Sequence, residues 1–239
     1  MHEYNFSEGE VLLINKPYDW TSFDVISNIR NQIKRALDIK KIKVGHAGTL
    51  DPLATGLLII CTGKFTKKID EFQAQEKEYT GTFTIGETTP SFDMEKEVDF
   101  TFDYSHVNEK LILQTAQKFT GTFEQIPPIF SAVKIGGKRA YEFARNSEEI
   151  KISSKTITIS EFEITNIQLP LIYFRIVCSK GTYIRALARD FGETMQCGAY
   201  LSSLCRTRIG NFELKDALEI ETFKSIITEH NNKHSSSVI

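Results

Sequence analysis

The stretch GHAGTLDPLATG, from Gly45 to Gly56, places one carboxylate, Asp51, directly before a proline and just ahead of the apolar run at 57–60. A residue that precedes proline is pushed away from the α region toward extended geometry. The glycines allow positive φ angles or the close approach of another segment. This pattern predicts a buried strand at 56–62 and a tight turn that presents Asp51. A reactive or binding carboxylate and a plain Asp-Pro turn fit these residues equally well.

The composition is that of a globular chain large enough for one large domain or two small ones. The 239 residues are 41% hydrophobic and 25% charged, and the four cysteines form no C-x-x-C pair. No apolar run approaches the roughly 20 residues that span a bilayer, and the first residues lack the features of a secretory signal. We expect a reduced, cytoplasmic protein with no metal site and no membrane contact.

The basic residues are clustered although the formal net charge is only −2. They form groups at 34–43, 64–68, 134–145 and 206–208, whereas acidic residues concentrate at 95–103. Such segregation suits a face that binds a polyanion. Solvated helix faces explain the lysine-rich stretches equally well at this point.

Helical and strand patterns follow one another without a regular βαβ repeat. The apolar spacing predicts the helices 21–37, 64–72, 107–119 and 181–195 and the strands 10–14, 56–62, 79–85, 155–167 and 171–178. Thr21 and Asp24 have capping-box spacing, and Gly121 is the expected C-cap of the third helix. We therefore expect an α+β protein with a mixed, mostly antiparallel central sheet flanked by helices.

Two segments lie outside this pattern. Residues 124–152 contain Pro127-Pro128, Gly136-Gly137 and several cationic side chains, and are interpreted as an inserted basic arm. Residues 230–239 form a polar tail.

The stretch around Asp51 resembles the signature of the TruB-type tRNA pseudouridine-55 synthases, and other blocks resemble that family in the same order. These blocks are Asn15-Lys16-Pro17 with Thr21-Ser22, Lys77-Glu78-Tyr79, QIPP at 125–128 with SAVK at 131–134 and YEFAR at 141–145, CSKGTYIR at 178–185, and Gly198-Ala199 with Leu204 and Arg206. The resemblance covers about residues 10 to 215. It implies the pseudouridine synthase fold, with one catalytic domain over 1–229 and the arm inserted at about 124–152.

The resemblance also implies a reaction. The enzyme would isomerise uridine to pseudouridine at position 55 in the T-loop of tRNA, by breaking the N1–C1′ bond and rejoining the base through C5, with no cofactor. Asp51 would be the essential carboxylate, Arg185 the cation that pairs with it, and Tyr79 the tyrosine that stacks on the target base. Whether Asp51 attacks the sugar or Tyr79 first removes a sugar proton stays open.

The same resemblance assigns substrate-binding residues. His46 would occupy space vacated in the RNA loop, and Tyr183 and Leu204 would line the uracil pocket. Charge and position add phosphate contacts at Lys67, Lys134 and Arg145. From the residues alone, a plain strand aromatic is favoured for Tyr79, and core packing explains Tyr183 and Leu204 nearly as well. A turn is the alternative for His46, and a surface or phosphate contact is the alternative for Arg185.

The chain departs from the family pattern at three places. Asp19 stands where the family often has glycine. The run TTPSFD at 88–93 replaces a T-D-T-x-D run and keeps only its last acid, Asp93. Many relatives continue into a C-terminal PUA domain, and the residues after Arg208 are too few for one, so we expect none.

The expected partner is the T-arm stem-loop of tRNA, with no obligate protein partner and a monomeric enzyme. A non-catalytic module that binds or folds tRNA through the same face is the main alternative. A small-molecule hydrolase with an aspartate nucleophile, or a glycosidase whose second acid is Glu76, Glu78 or Asp93, fits the residues less well.

Overall fold

The computed structural model describes residues 4–130, 134–135, 138–139 and 152–236. The helices of this part are α1 (Ser22–Ala36), α2 (Ile69–Ala74), α3 (Glu109–Lys118), α4 (Ile184–Thr194) and α5 (Ile220–Ser236). Its strands are β1 (Val11–Lys16), β2 (Val44–His46), β3 (Ala54–Thr62), β4 (Lys77–Ile85), β5 (Glu87–Thr88), β6 (Phe100–Thr101), β7 (Gly121–Gln125), β8 (Lys134–Ile135), β9 (Lys138–Arg139), β10 (Lys155–Gln168), β11 (Leu171–Cys178), β12 (Ala199–Ile209) and β13 (Phe212–Glu213).

The chain divides into two compact units. The first contains residues 1–77 and 205–239, and the second contains residues 78–204. Each unit has its own hydrophobic core. The boundary after Leu204 falls within β12, so each unit has a part of that strand.

Strand β3 is the centre of the first unit. It pairs antiparallel with β1, from Val11 opposite Cys61 to Lys16 opposite Gly56, and antiparallel with β2. Strand β12 lies next to β3 in the strand order, and β13 pairs antiparallel with β12. The strand that carries the chain away from Asp51 is therefore enclosed on both edges.

The apolar run in β3 is buried on both faces. Residues 57–61 are all 0% exposed. Leu58 and Ile60 pack with side chains of α1 and α5, whereas Leu57 and Ile59 belong to a separate cluster on the opposite face. Because both faces contact apolar side chains, this strand is a continuous apolar run and not an alternating one.

In the second unit the strand order is β12, β4, β11, β10 and β7. Strands β10 and β11 form an antiparallel hairpin, with Gln168 opposite Leu171. The ring centre of Phe83 on β4 lies 4.3 Å from that of Phe174 on β11 and 5.5 Å from that of Phe191 on α4. These aromatic contacts fix α4, which carries Arg185 and Arg189, against the strands of the unit.

The α+β class and the mostly antiparallel pairing are confirmed, and the elements lie close to the predicted bounds. The predicted capping box is present, since Thr21 Oγ1 accepts a hydrogen bond from Asp24 N and Asp24 Oδ2 accepts one from Thr21 N. Gly121 is not the C-cap of α3. The helix ends at Lys118 with Phe119 as its C-cap, and Gly121, with a φ of 118°, begins β7.

The structure differs from the sequence pattern at two further segments. Residues 64–72 form a 3-10 helix, Gly63–Lys68, followed by the short α2, and not one helix. Helix α5 continues to Ser236 through most of the polar tail. One catalytic domain over 1–229 and an arm over 124–152 stay predictions, and residues 131–133, 136–137 and 140–151 of that arm lie outside the described part. Among the described residues, no helix is both long and apolar enough to cross a membrane.

Candidate active site

The turn that carries Asp51 connects β2 and β3 in the first unit. The backbone N–H of Ala54 donates to the Asp51 carbonyl at 3.1 Å, which closes the turn. Gly56 follows at the start of β3 with a φ of 102°, and a Cβ there would lie 2.4 Å from the carbonyl oxygen of Arg206. Gly56 is thus required both by its backbone conformation and by the close approach of β12.

Arg206 holds both sides of this turn. Its Nε donates to the Leu57 carbonyl at 2.8 Å, and its Nη2 donates to the Gly48 carbonyl at 3.0 Å. The residue is only 1% exposed. The placement of Arg206 in a polyanion-binding group was therefore wrong, because its guanidinium binds main-chain carbonyls inside the first unit.

Lys16, at the end of β1, provides a second attachment. Its Nζ donates to the carbonyls of Pro17 at 2.9 Å, Trp20 at 2.5 Å and Pro52 at 3.1 Å. Burial lowers the pKa of Lys16 to about 8, although the carboxylate of Asp51 acts in the opposite direction and favours the charged form. A buried ammonium group is thus part of the electrostatic environment of Asp51.

Ser22, at the start of α1, provides a third attachment for the turn that carries Asp51. Its Oγ accepts a hydrogen bond from Leu50 N at 2.9 Å and donates one to Leu50 O at 3.1 Å. Leu50 directly precedes Asp51, so the first turn of α1 fixes the main chain on the amino side of the carboxylate. Ser22 and Lys16 both lie in the block that resembles the family's N-terminal motif, but no role for either residue was predicted from the sequence.

His46 lies on β2 opposite Ile60 and is half-buried. Its pKa is lowered, mainly by burial and secondly by the positive charge of Arg206. The imidazole is therefore neutral at pH 7. A neutral ring loses less solvation than an imidazolium when it enters a stack of bases.

Tyr79, Tyr183 and Leu204 lie in the second unit. Tyr79 on β4 and Leu204 on β12 are half-buried and pack against the hydrophobic core. Tyr183 is the N-cap of α4, and the buried amide of Gln125 binds its main chain twice: Nε2 donates to Tyr183 O at 3.1 Å, and Oε1 accepts from Tyr183 N at 2.9 Å. Tyr79 and Leu204 can both pack on the core and line a pocket, because each side chain is only partly buried.

Arg185, in the first turn of α4, is buried and ion-paired. Its Nε lies 3.4 Å from Oδ2 of Asp93, its Nη1 donates to Ser91 O at 3.2 Å, and its Nη2 donates to Phe130 O at 2.9 Å. With a side chain only 6% exposed, Arg185 is not a surface arginine. The pairing of Arg185 with Asp51 stays a prediction, and sequence reasoning missed Asp93 as a partner.

The segment that departs from the family pattern forms the turn that presents Asp93. Phe92 has a φ of 61°, its carbonyl accepts from Leu201 N at 3.0 Å, and Asp93 Oδ1 accepts from Glu95 N at 3.0 Å. The one acid that this segment keeps is thus the one that meets Arg185.

The proposed phosphate-binding residues lie in two segments of the chain, the 3-10 helix before α2 and the predicted arm. Lys67 is exposed in the 3-10 helix before α2. Lys134 lies on β8, opposite Arg139 on β9. Arg145 lies outside the described residues.

The carboxylates considered for a second catalytic acid each have an arginine beside them. Glu78 lies 3.1 Å from Arg175, and Glu76 lies 3.4 Å from Arg208. Asp93 lies 3.4 Å from Arg185. This arrangement does not favour a glycosidase with two carboxylates.

Two family models together cover most of the chain. The model of the TruB family pseudouridylate synthase (N terminal domain) matches residues 34–184, and that of the tRNA pseudouridylate synthase B C-terminal domain matches residues 185–239. The chain belongs to the TruB family of pseudouridylate synthases. The resemblance inferred from the motifs is confirmed.

Known TruB-family proteins match this chain over almost its whole length. It is 57% identical over 219 residues to the tRNA pseudouridine synthase B of Phocaeicola vulgatus, which covers 92% of this chain and 93% of that relative. It is 57% identical over 220 residues to the tRNA pseudouridine synthase B of Flavobacterium johnsoniae, which covers 92% of this chain and 96% of that relative.

A solved structure shares the fold. A chain in the crystal structure of a Cbf5-Nop10-Gar1 complex superimposes with a TM-score of 0.70 at 25% identity, covering 95% of this chain and 60% of that chain. The pseudouridine synthase fold is therefore confirmed together with the family.

Proposed function

We propose that this TruB-family chain isomerises uridine to pseudouridine at position 55 in the T-loop of tRNA, with Asp51 as the essential carboxylate. The observation that carries the proposal is the 57% identity, over 92% of the chain, to a tRNA pseudouridine synthase B. The geometry of the first unit supports it, because Asp51 lies in a turn attached by Lys16, Ser22 and Arg206. A catalytic carboxylate needs such a fixed main chain.

In the proposed reaction the N1–C1′ bond breaks, the uracil turns, and C5 bonds to C1′ while the C5 hydrogen leaves as a proton and N1 gains one. Asp51 acts as a carboxylate anion, and the ammonium of Lys16 is part of its electrostatic environment. Tyr79 stacks on the target base, and Tyr183 and Leu204 enclose it. Arg185, oriented by Asp93, supplies a cation to the reacting centre.

RNA binding is proposed to use two kinds of contact. The target base must leave the stack, which requires a few kcal/mol, and the neutral ring of His46 replaces part of the lost stacking. Lys67, Lys134 and Arg145 bind phosphates. Replacing any one of these three residues with alanine should therefore make the plot of log affinity against log salt concentration less steep, with a slope smaller in magnitude by about one.

The test uses the full chain and a minimal T-arm hairpin with tritium at C5 of the target uridine. Because C5 forms the new bond, turnover releases the tritium to water. Asp51→Asn is expected to bind the hairpin like the wild type and to release none. Asp19→Asn is the matched control: it replaces an exposed aspartate of the same unit, and asparagine tolerates the φ of 64° found there.

Three outcomes would contradict the proposal. Turnover by Asp51→Asn would exclude Asp51 as the essential group. A wild type that releases no tritium but still refolds tRNA would favour a non-catalytic RNA-folding module. Release that is equal from hairpins with the uridine moved to other T-loop positions would exclude specificity for position 55.

The order of bond breaking can be tested with the same hairpin. Deuterium on the ribose ring slows product formation if Tyr79 removes a sugar proton first, and has a much smaller effect if Asp51 attacks C1′ directly. We also propose that the enzyme is a cytoplasmic monomer. Sedimentation of the purified chain at working concentration tests its oligomeric state, and cell fractionation tests its location.

A further inference from the structure

Helix α4 carries a second arginine, Arg189, one helical turn after Arg185. Its Nη2 donates to the carbonyl of Ile126 at 3.2 Å, and its guanidinium carbon lies 5.0 Å from the ring centre of Phe92. That distance is within the range of a cation–π contact. Arg189 therefore joins α4 to two segments that are distant in sequence.

The two arginines join the same pair of segments. Arg185 donates to Ser91 O and Phe130 O, and Arg189 contacts Phe92 and Ile126 O. One segment is the turn at 91–93 that presents Asp93, and the other is the stretch 126–130. We call the latter the arm root, because it lies near the start of the predicted arm, ahead of Lys134 and Arg145.

The guanidinium of Arg189 is itself held in place. Asp190 Oδ1 accepts from Nε at 2.8 Å and lies 2.6 Å from Nη2. The side chains of Arg189 and Asp190 are 19% and 21% exposed, so the pair is largely removed from solvent. A planar group bound along one edge has little freedom to turn, and its remaining donors point in fixed directions.

Gln125 holds the chain immediately before the arm root. It is 1% exposed, and both atoms of its amide bind the main chain of Tyr183. The residues from Gln125 to Phe130 thus contact α4 and its N-cap at three successive points. Arg189 provides the middle one, at Ile126.

We propose that Arg189 is a positioning residue for RNA binding, which rests on the proposed function. It holds the arm root against the turn at 91–93, so that the arm begins from a fixed place before RNA arrives. Because the arm root is already ordered in the free protein, RNA binding does not have to pay the entropy of ordering it, and the affinity for RNA is higher. Arg185 keeps its ion pair with Asp93 when Arg189 is replaced, so the chemical step depends on Arg189 less than RNA binding does.

The experiment compares Arg189→Ala, Arg189→Lys and a control, Arg175→Ala, on the tritiated hairpin. Arg175 lies in the same unit and contacts three glutamates of β4 and β10, so its replacement removes a comparable arginine away from the arm root. Arg189→Ala is expected to raise KM about tenfold, which corresponds to about 1.4 kcal/mol, with kcat within about twofold of wild type. Arg189→Lys keeps the positive charge but not the planar fork of donors and should recover part of the loss, whereas Arg175→Ala should leave KM unchanged.

A second readout needs no activity. Without RNA, trypsin should cut after the lysines and arginines at 134–145 faster in Arg189→Ala than in Arg175→Ala, because the arm root has lost a contact. The fraction unfolded, measured in parallel, corrects both rates for global opening.

The outcomes separate the inference from the function on which it rests. A wild type without turnover would remove the proposed function, while faster cleavage of Arg189→Ala would still support the contact. An active wild type with equal KM and equal cleavage for the two alanine variants would overturn the inference. So would a loss of stability and kcat in Arg189→Ala at unchanged KM, since that is what a purely structural arginine predicts.

Discussion

The Nε of Arg185 lies 3.4 Å from Oδ2 of Asp93, and neither side chain is more than 7% exposed. The arginine that the family resemblance assigns to catalysis is thus fixed by a carboxylate from a segment where the chain departs from the family pattern. Two main-chain carbonyls, of Ser91 and Phe130, accept further hydrogen bonds from the same guanidinium. Asp93 therefore sets the orientation and the charge balance of Arg185.

Asp93→Asn should lower both stability and kcat. The amide can keep the hydrogen bond from Glu95 N, but it leaves the Arg185 charge without this carboxylate, and breaking a buried ion pair from one side costs about 3–5 kcal/mol. Urea unfolding measures the first effect, and single-turnover tritium release measures the second. We expect a loss of at least about tenfold in rate, since 1.4 kcal/mol at the transition state suffices for that.

Asp99→Asn is the matched control for this variant. Asp99 is exposed, and its Oδ1 accepts a hydrogen bond from Thr88 Oγ1 at 2.6 Å, so the same substitution there removes a charge without affecting the contacts of Arg185. Equal rates for the two variants would mean that Asp93 has no part in orienting the arginine.

Features decided by neighbours in sequence were predictable. The strand after Asp51, the cap at Thr21 and the hairpin at 155–178 depend on local periodicity and turn residues, and the structure has all three. Asp51 could be singled out because glycines and a proline surround it.

Features decided by distant segments were not predictable. Arg206 and Arg208 are two residues apart on β12, and the sequence treats them alike. Arg206 is buried and donates to the carbonyls of Gly48 and Leu57, whereas Arg208 lies beside Glu76. The charge pattern of the sequence shows how many basic residues a segment has. It does not show which main-chain carbonyls lie next to each basic side chain in the folded protein.

Arg206→Lys should destabilise the Asp51 turn. A lysine ammonium cannot donate in the fork geometry that reaches both Gly48 O and Leu57 O, so at least one buried carbonyl loses its charged donor. The expected loss is about 2–3 kcal/mol in the free energy of unfolding, with a lower kcat. Arg208→Lys, two residues along the same strand, should change stability by no more than about 0.5 kcal/mol. An equal effect of the two would show that the fork contact is unimportant.

Ser22→Ala should weaken the same turn from its other side. Both the N–H and the carbonyl of Leu50 lose a partner in a buried place, and the expected cost is about 2 kcal/mol. Ser225→Ala on α5 is the control, because it makes the same substitution at an exposed helical site where alanine is the better helix former. Thermal unfolding and kcat on the hairpin are the two measurements. An unchanged kcat in a destabilised Ser22→Ala would restrict this residue to folding.

Lys16 should give stability a distinct dependence on pH. Burial brings its folded pKa to about 8, below the ordinary lysine value of 10.5. Between these values the unfolded chain holds a proton that the folded chain has released, so the free energy of unfolding rises with pH across this window. Below pH 8 both states hold the proton, and the contribution of Lys16 stays at its lower level. The difference in unfolding free energy between wild type and Lys16→Met should therefore grow in favour of wild type from about pH 8 to 10.5.

Lys40→Met, which removes an exposed lysine of the same unit, is the control for loss of a positive charge. A wild-type advantage that shrinks over this range would mean that the folded state holds the Lys16 proton more tightly than the unfolded state does.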